Sequence, residues 1–312
     1  MVTPVSTQNS YSVILADLTS AQNKEMTAQQ QVSTGKKGND LTDFGDQTRS
    51  LIATNTVKSR VDGLVSQLNN LQVKLNFQQA ALGQVSDVAA NLKLTFINAL
   101  ASGQGDGIMS DVTSYFSQAL QALNSQYGGD YLFSGGQTQT KPFTAADLTQ
   151  LASTPPTPNP AISSFFQNGN LTPANRIDDQ TTISTGFLAT DVGQQLMQAF
   201  QDIQSYVVAN GPFTGQLTTA QQTFLQNEIA TLDNVAASTT QTTALGGDVQ
   251  KRVEDATQAQ SDRQVTLKNV LGDITDVNMA QAAADLSQAQ SAVQASAQVF
   301  LKIGRASCRE RV

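Results

Sequence analysis

The chain has 312 residues, a formal net charge of −7 and only 14% charged residues, with a pI near 4.5. It has no His, no Trp and a single Cys, which excludes intrachain disulfides and excludes or nearly excludes His-based triads, a His general base, a haem ligand and a structural zinc site. The acidic balance speaks against nucleic acid and anionic membrane surfaces as partners, and no apolar run reaches the 18 or so residues of a membrane span.

In chain order, residues 5–33 carry a weak helical stripe. It begins with Tyr11, Leu15 and Leu18, and the next places on that ladder fall on Gln22, Glu25 and Gln29. A helix of this kind is marginal on its own and needs a partner. The N-terminal segment has neither the basic start nor the apolar stretch of a cleavable signal peptide. STGKK at 33–37 places Lys after Gly as a phosphate loop does. Gln30 stands where that loop needs Gly, and Lys37 where it needs Ser or Thr, so the segment reads as a polar turn between helices.

The strongest signal follows. Alternating steps of three and four from Val61 pass through Leu64, Leu68, Leu71, Leu75, Gln78, Leu82, Val85, Ala89, Leu92, Phe96 and Ala99. Only Gln78 is polar. This spacing predicts one long coiled-coil helix over about 45–102, stopped by GQGDG at 103–107. A shorter helix then presents Met109, Val112, Phe116, Ala119 and Leu123 on one face. From Tyr127 the pattern changes to YGGDYLFSGG and then to a proline-rich stretch including PPTPNP at 155–160. Residues 128–190 therefore read as a small β-rich or irregular insert projecting from a helical body.

Helical spacing resumes near Asp191 with Leu196, Phe200, Ile203 and Val207, and NGP at 210–212 ends it. A second long helix starts near Thr218 with Leu225, Ile229, Leu232, Val235, Val249 and Val253. The stripe continues through Leu267, Leu271 and Ile274, then Leu286, Ala289, Val293 and Phe300. Alanines dominate 280–297, which favours helix but offers little apolar area. The fold class predicted is mainly α: a long antiparallel coiled-coil bundle formed by both chain halves, with a small β-rich insert in the middle. The divisions predicted are 1–40 with 265–302 as terminal helices, 41–127 with 191–264 as the body, and 128–190 as the insert.

The final ten residues, IGRASCRERV at 303–312, back-translate codon by codon to a common sequencing-library adapter. They are set aside from fold reasoning, and Cys308 goes with them.

Candidate chemistry is sparse. GDGIMSD at 105–111 lacks the alternating oxygen ligands of a calcium loop and reads as a helix break. Asp178 and Asp179 are adjacent, so their side chains diverge, and nothing supports a paired-carboxylate site. The expectation is no enzyme, with catalytic, metal and cofactor residues all absent.

Both chain ends carry family signals. VSTQNSYSVILADLTSAQNKEMTAQQQVSTGKKGNDLTDFGDQTR near the start resembles the terminal helix and turn of bacterial flagellins, especially in STGKK. LGDITDVNMAQAAADLSQAQSAVQASAQVFLKI at 271–303 is similar to their closing helix. QYGGDYLFSGGQTQTKPF at 126–143 resembles a stretch typical of the hook–filament junction branch, the hook-associated protein 3 type; Tyr131, Leu132, Phe133, Ser134, Gly135, Pro142 and Phe143 carry it. The resemblance covers roughly 1–145 and 190–302.

The resemblance implies a self-assembling structural subunit, exported unfolded by the flagellar type III apparatus with its chaperone. Its location would be extracellular, at the junction between hook and filament. Its partners would be copies of itself, the hook-side junction protein and flagellin. Leu64, Leu68, Leu71, Leu75, Leu82 and Leu92 would form the body seam. Tyr11, Leu15, Leu18, Leu286, Val293 and Phe300 would form the assembly interface, ordering only with partners. The nearest rival reading is a flagellin of the filament itself. A more distant one is a surface polysaccharide-binding module in the insert, for which Phe143, Phe165, Phe166 and Phe187 are the aromatics at hand.

Overall fold

The computed structural model describes residues 4–153 and 157–309, and the side chains of residues 12–153 and 157–302. Pro155 and Pro156, the Tyr11 side chain and the side chains of the adapter-like tail lie outside the described residues. Six α-helices dominate: α1 (Pro4–Thr34), α2 (Thr48–Ser102), α3 (Ile108–Leu123), α4 (Ala189–Asn210), α5 (Thr219–Thr275) and α6 (Met279–Arg309). The only strands among the described residues form two small antiparallel pairs, β1 (Gln126–Tyr127) with β2 (Asp130–Tyr131), and β3 (Ala174–Arg176) with β4 (Thr182–Ser184). The architecture is mainly α, with long helices and a small β insert. By compactness the chain forms two units, Met1–Asp62 with Asp262–Val312, and Gly63–Ser261.

In the Gly63–Ser261 unit, the heptad frame of α2 orders the packing. Leu68, Leu71, Leu75, Leu82, Val85, Ala89, Leu92, Phe96 and Ala99 are buried, and Leu64 is half-buried. α5 runs antiparallel to α2, as three cross-helix pairs show: Lys93 with Asp233, Gln79 with Thr243, and Asn76 with Gln250. Gln78, the polar place in the ladder, is buried because its Nε2 donates to the Leu132 carbonyl at 3.2 Å. It tethers the insert to the helical body.

The helix ends follow from local chemistry. Beyond α2, Gly103 takes φ +68°, and the Leu217 amide donates to its carbonyl at 2.9 Å. Asp106 accepts from the Gly215 amide at 2.8 Å, so the GDG segment closes a turn against the loop before α5. That loop ends in a reciprocal cap: the Gln221 amide donates to Thr218 Oγ1, and Gln221 Oε1 accepts from the Thr218 amide. Asp178 likewise accepts from the amides of Gln180 and Thr181, which makes it a turn former between β3 and β4.

The insert does not project from the body as the sequence suggested. Leu132, Phe133, Phe143, Leu148, Leu151, Ile162 and Phe166 belong to the same apolar cluster as Phe96, Phe116, Leu196 and Phe200. Phe116 meets Phe200 edge-on at 5.5 Å between ring centres, and Gly193 lets α4 close on Leu123. A second cluster, Leu68, Leu71, Leu75, Ile177, Ile183 and Val253, packs the β3–β4 hairpin against α2 and α5. The irregular stretch lacks regular elements of its own but contributes large apolar side chains to the helices' core.

A buried carboxyl works against this unit. Glu228 on α5 is buried, its Oε2 has no hydrogen-bond partner, and Asp202 on α4 adds a like charge. Burial, and then Asp202, push its carboxyl up to about 7. The folded state therefore holds a proton that the unfolded chain releases near the ordinary value of 4.5. Stability from this group is complete below about pH 4.5 and is lost as pH rises through about 7. Glu228→Gln should raise the stability of the unit at pH 8 by on the order of 2–3 kcal/mol and change it little at pH 4.5, measured by thermal melts at both values. Leu71→Asp should cost about 4 kcal/mol or more in denaturant titration, while the same change at exposed Asn70 should stay within about 0.5 kcal/mol.

Candidate assembly interface

In the other unit, the two chain ends pair. α1 and α6 run antiparallel, with backbones approaching within 8 Å at many places. Their seam is made of small residues: Ala21 and Ala28 on α1, and Ala282 and Ala289 on α6, are all buried. Small side chains permit that approach where leucines would hold the backbones apart. The α1 seam passes through Ile14, Leu18, Ala21, Glu25, Ala28 and Val32, every one buried or half-buried. It shares Leu18 and Glu25 with the ladder read from sequence, but Ala21 and Ala28 replace Gln22 and Gln29, which are exposed. The polar break expected there narrows to Glu25 once the frame moves by one residue at its other two places. On α6, Leu286, Val293 and Phe300 are half-buried on the same spacing as Ala282 and Ala289.

The pair is fastened at one end by the STGKK turn. Gly35 takes φ +69°, a left-handed conformation that ends α1. The Lys37 amide then donates to the Thr275 carbonyl at 2.7 Å, and the Val277 amide to the Gly35 carbonyl at 3.0 Å. Lys37 Nζ donates to the carbonyls of Asp273 and Ile274 at 2.8 and 2.9 Å, placing a cation on the orphan carbonyls at the end of α5. Lys36 Nζ pairs with Asp276 at 2.5 Å and donates to Thr275 Oγ1 at 3.1 Å. Asn278 caps α6 by accepting from the amides of Ala280 and Gln281. The motif that imitates a phosphate loop is thus a clasp between the α1–α2 turn and the α5–α6 turn.

Several large apolar side chains of the clasped pair lie outside its seam. Val13, Leu15, Met26, Val299 and Leu301 are large and exposed. A groove of about 990 Å³ runs along the pair, lined by Leu15, Thr19, Asn23, Asp285, Gln288 and Ala292 among others. Leu15 lies in that groove, whereas Leu18 turns toward the seam.

The motif residues of the insert serve packing. Leu132, Phe133, Ser134, Gly135, Pro142 and Phe143 are buried, and Tyr131 is half-buried. Phe133 accepts from the Ala189 amide and Ser134 from the amides of Gln137 and Gly169. Gly135 sits at φ +65°, where a Cβ would lie 2.7 Å from the Gly169 carbonyl oxygen, so only glycine fits. Asn124 both donates to and accepts from the Phe143 backbone, and the Phe143 ring meets Phe166 at 4.8 Å. The four aromatics considered for a saccharide platform are consumed here: Phe143 and Phe166 are buried, and Phe165 and Phe187 pack against the core. Among the described residues, no group of three or more His, Cys, Asp or Glu is placed to hold a metal ion, and no helix is long and apolar enough to cross a membrane.

Neither a protein-family model nor a curated protein sequence matches the chain. Solved structures do. A flagellar hook-associated protein from Vibrio parahaemolyticus superposes with a TM-score of 0.59 at 15% identity, covering 75% of this chain and 100% of the other. The crystal structure of Bacillus cereus FlgL gives 0.50 at 13% identity, covering 66% of this chain and 98% of the other. The chain has the fold of flagellar hook-associated proteins. At these identities the likeness is one of fold, and it spans the whole of each relative.

The clasp generates a pH prediction. The Lys36 and Thr275 hydrogen bonds hold the Asp276 carboxyl below its ordinary value. Its contribution is present above the unfolded carboxylate value and is lost as pH falls through the lower folded one. The pair should therefore hold at pH 5–8 and loosen only below about 4. Asp276→Asn should loosen it at neutral pH, seen as faster amide exchange at Lys37 and Val277 after correction for intrinsic rates. Amides in α3 should not change.

Proposed function

We propose that this chain is a structural subunit of the bacterial flagellum, acting as the adaptor at the hook–filament junction. Its paired terminal helices associate with those of other copies, one face of the assembly engaging the hook-side junction protein and the other receiving flagellin. The observation that carries this reading is the clasped α1–α6 pair with large apolar side chains left outside its seam, on a chain whose fold is that of hook-associated proteins. An alanine seam buries little area per residue, so the pair gains most of its order from neighbours in an assembly. Copies of the chain reach that site through the flagellar export apparatus, escorted by its chaperone.

The outward residues give the test. Leu15→Glu with Val299→Glu alters two exposed positions and leaves the Ala21, Ala28, Ala282 and Ala289 seam intact. The double variant should keep the circular dichroism and melting temperature of the parent. It should lose self-association in sedimentation at matched concentration, with at least a tenfold weaker constant, because each charge would have to be desolvated in the contact. It should also fail to restore motility in a strain lacking its own junction protein. Undiminished association of the variant would overturn the role of the terminal pair. Elongation of the parent into filaments without added flagellin would overturn the adaptor reading in favour of a flagellin.

A further inference from the structure

Between Val235 and Val253, the long helix α5 buries only Thr239 and Gly246. The ten residues 238–247, STTQTTALGG, combine four threonines, one serine and two glycines, which rank at the unfavourable end of helix formers. The hydroxyls of Thr239, Thr240 and Thr242 donate back to the carbonyls of Val235, Ala236 and Ser238, a pattern that competes with the helix ladder and recurs at Thr223 and Thr257 elsewhere in α5. Thr243 Oγ1 is buried without a hydrogen-bond partner.

The same level of the unit divides its core. The larger apolar cluster includes α5 residues only as far as Val235, although its Leu82 and the adjoining Phe187 reach over Gly246, and the smaller cluster includes Val253. On α2, Leu75 belongs to the smaller cluster and Ala81 to the larger. What lies between is polar: Gln79 donates to the Thr243 carbonyl at 3.3 Å, Gln250 to Asn76, and Gln78 to the insert. The two glycines have different causes. A Cβ at Gly246 would lie 2.6 Å from Gln79 Oε1, 3.4 Å from Leu82 and 3.6 Å from Phe187, so a side chain there would push the Gln79 amide aside. A Cβ at Gly247 would meet nothing within 4 Å, and packing gives no reason for glycine there.

We propose that residues 238–247 are a hinge in α5, where the helix opens locally between its Val253 end, packed on the β3–β4 hairpin, and its Leu225–Val235 end, packed with Phe200, while α2 continues unbroken past that level. Weak propensity, the lack of a buried apolar side chain contributed by α5 and a polar layer on the facing helix coincide at one level, and these are the marks of a low-stability segment. The hinge goes beyond the assembly reading and stands whether or not the chain is a junction adaptor.

Amide exchange followed by mass spectrometry on the full chain tests it. Peptides covering 238–247 should exchange at least tenfold faster than those covering 225–235 and 253–260, although all lie in one helix. Thr240→Ala with Gly247→Ala changes one exposed residue and one facing open space, and restores helix formers at both. That variant should slow exchange within 238–247 by about tenfold and leave 225–235 unchanged. Gly247→Ala alone should give about half of that effect on a logarithmic scale. Equal protection of the segment and its flanks, or indifference of its exchange to both variants, would overturn the hinge.

Discussion

The antiparallel pairing of α2 and α5 is the constraint from which the Gly63–Ser261 unit follows. Two helices of 55 and 57 residues are each on the order of 80 Å long, and neither is stable alone at its sequence's modest propensity. The Leu and Phe seam of α2 supplies what they lack, since each fully buried large side chain contributes roughly 1.5–3 kcal/mol. Because the seam has one face, α3, α4 and the insert must settle on the same side of α2. Their apolar residues therefore merge into one cluster with Phe96, Phe116 and Phe200.

Where the seam is interrupted, the interruption has a use. Gln78 gives up an apolar contact to bind the Leu132 carbonyl, which fixes where the irregular insert begins. Both Gln78 and Glu228 leave one oxygen unpartnered, but Glu228 adds a carboxyl beside Asp202 and ties no second segment to the helices. At the chain ends the logic is reversed. There, small residues replace large ones, the backbones come close, and specificity rests on a few directed bonds at the STGKK turn instead of on buried area. One polypeptide thus combines a unit held by apolar volume with one held by close approach and a clasp.

The α2 seam, the helix stops at GQGDG and NGP, and the resumption near Asp191 are legible in the residues because each depends on local periodicity or on Gly and Pro chemistry. The small-residue seam of α1 is not. Alanine at Ala21 and Ala28 scores as neither core nor surface, so a ladder anchored on Leu15 drifts onto Gln22 and Gln29. The insert's packing is hidden for a different reason: Phe133, Phe143 and Phe166 meet partners far away along the chain, and no spacing rule reaches them. The clasp was visible as a motif but not as a contact. Lys36 and Lys37 announce a functional turn, yet their acceptors at 273–276 carry no complementary signature beyond a single Asp.

That separation along the chain has a kinetic consequence. Lys36 and Asp276 stand 240 positions apart, so the loop closed by their bond comprises most of the molecule. Closing it costs only logarithmically more entropy than closing a short loop, but it cannot begin until both partners exist in the same space. A polypeptide synthesised from its N-terminus therefore presents α1 as a solitary, marginal helix until residues near 273 are made. The last segment to arrive carries both the acceptors for Lys36 and Lys37 and the alanine face that α1 needs. The clasp can close only once residues 273–277 have joined the chain.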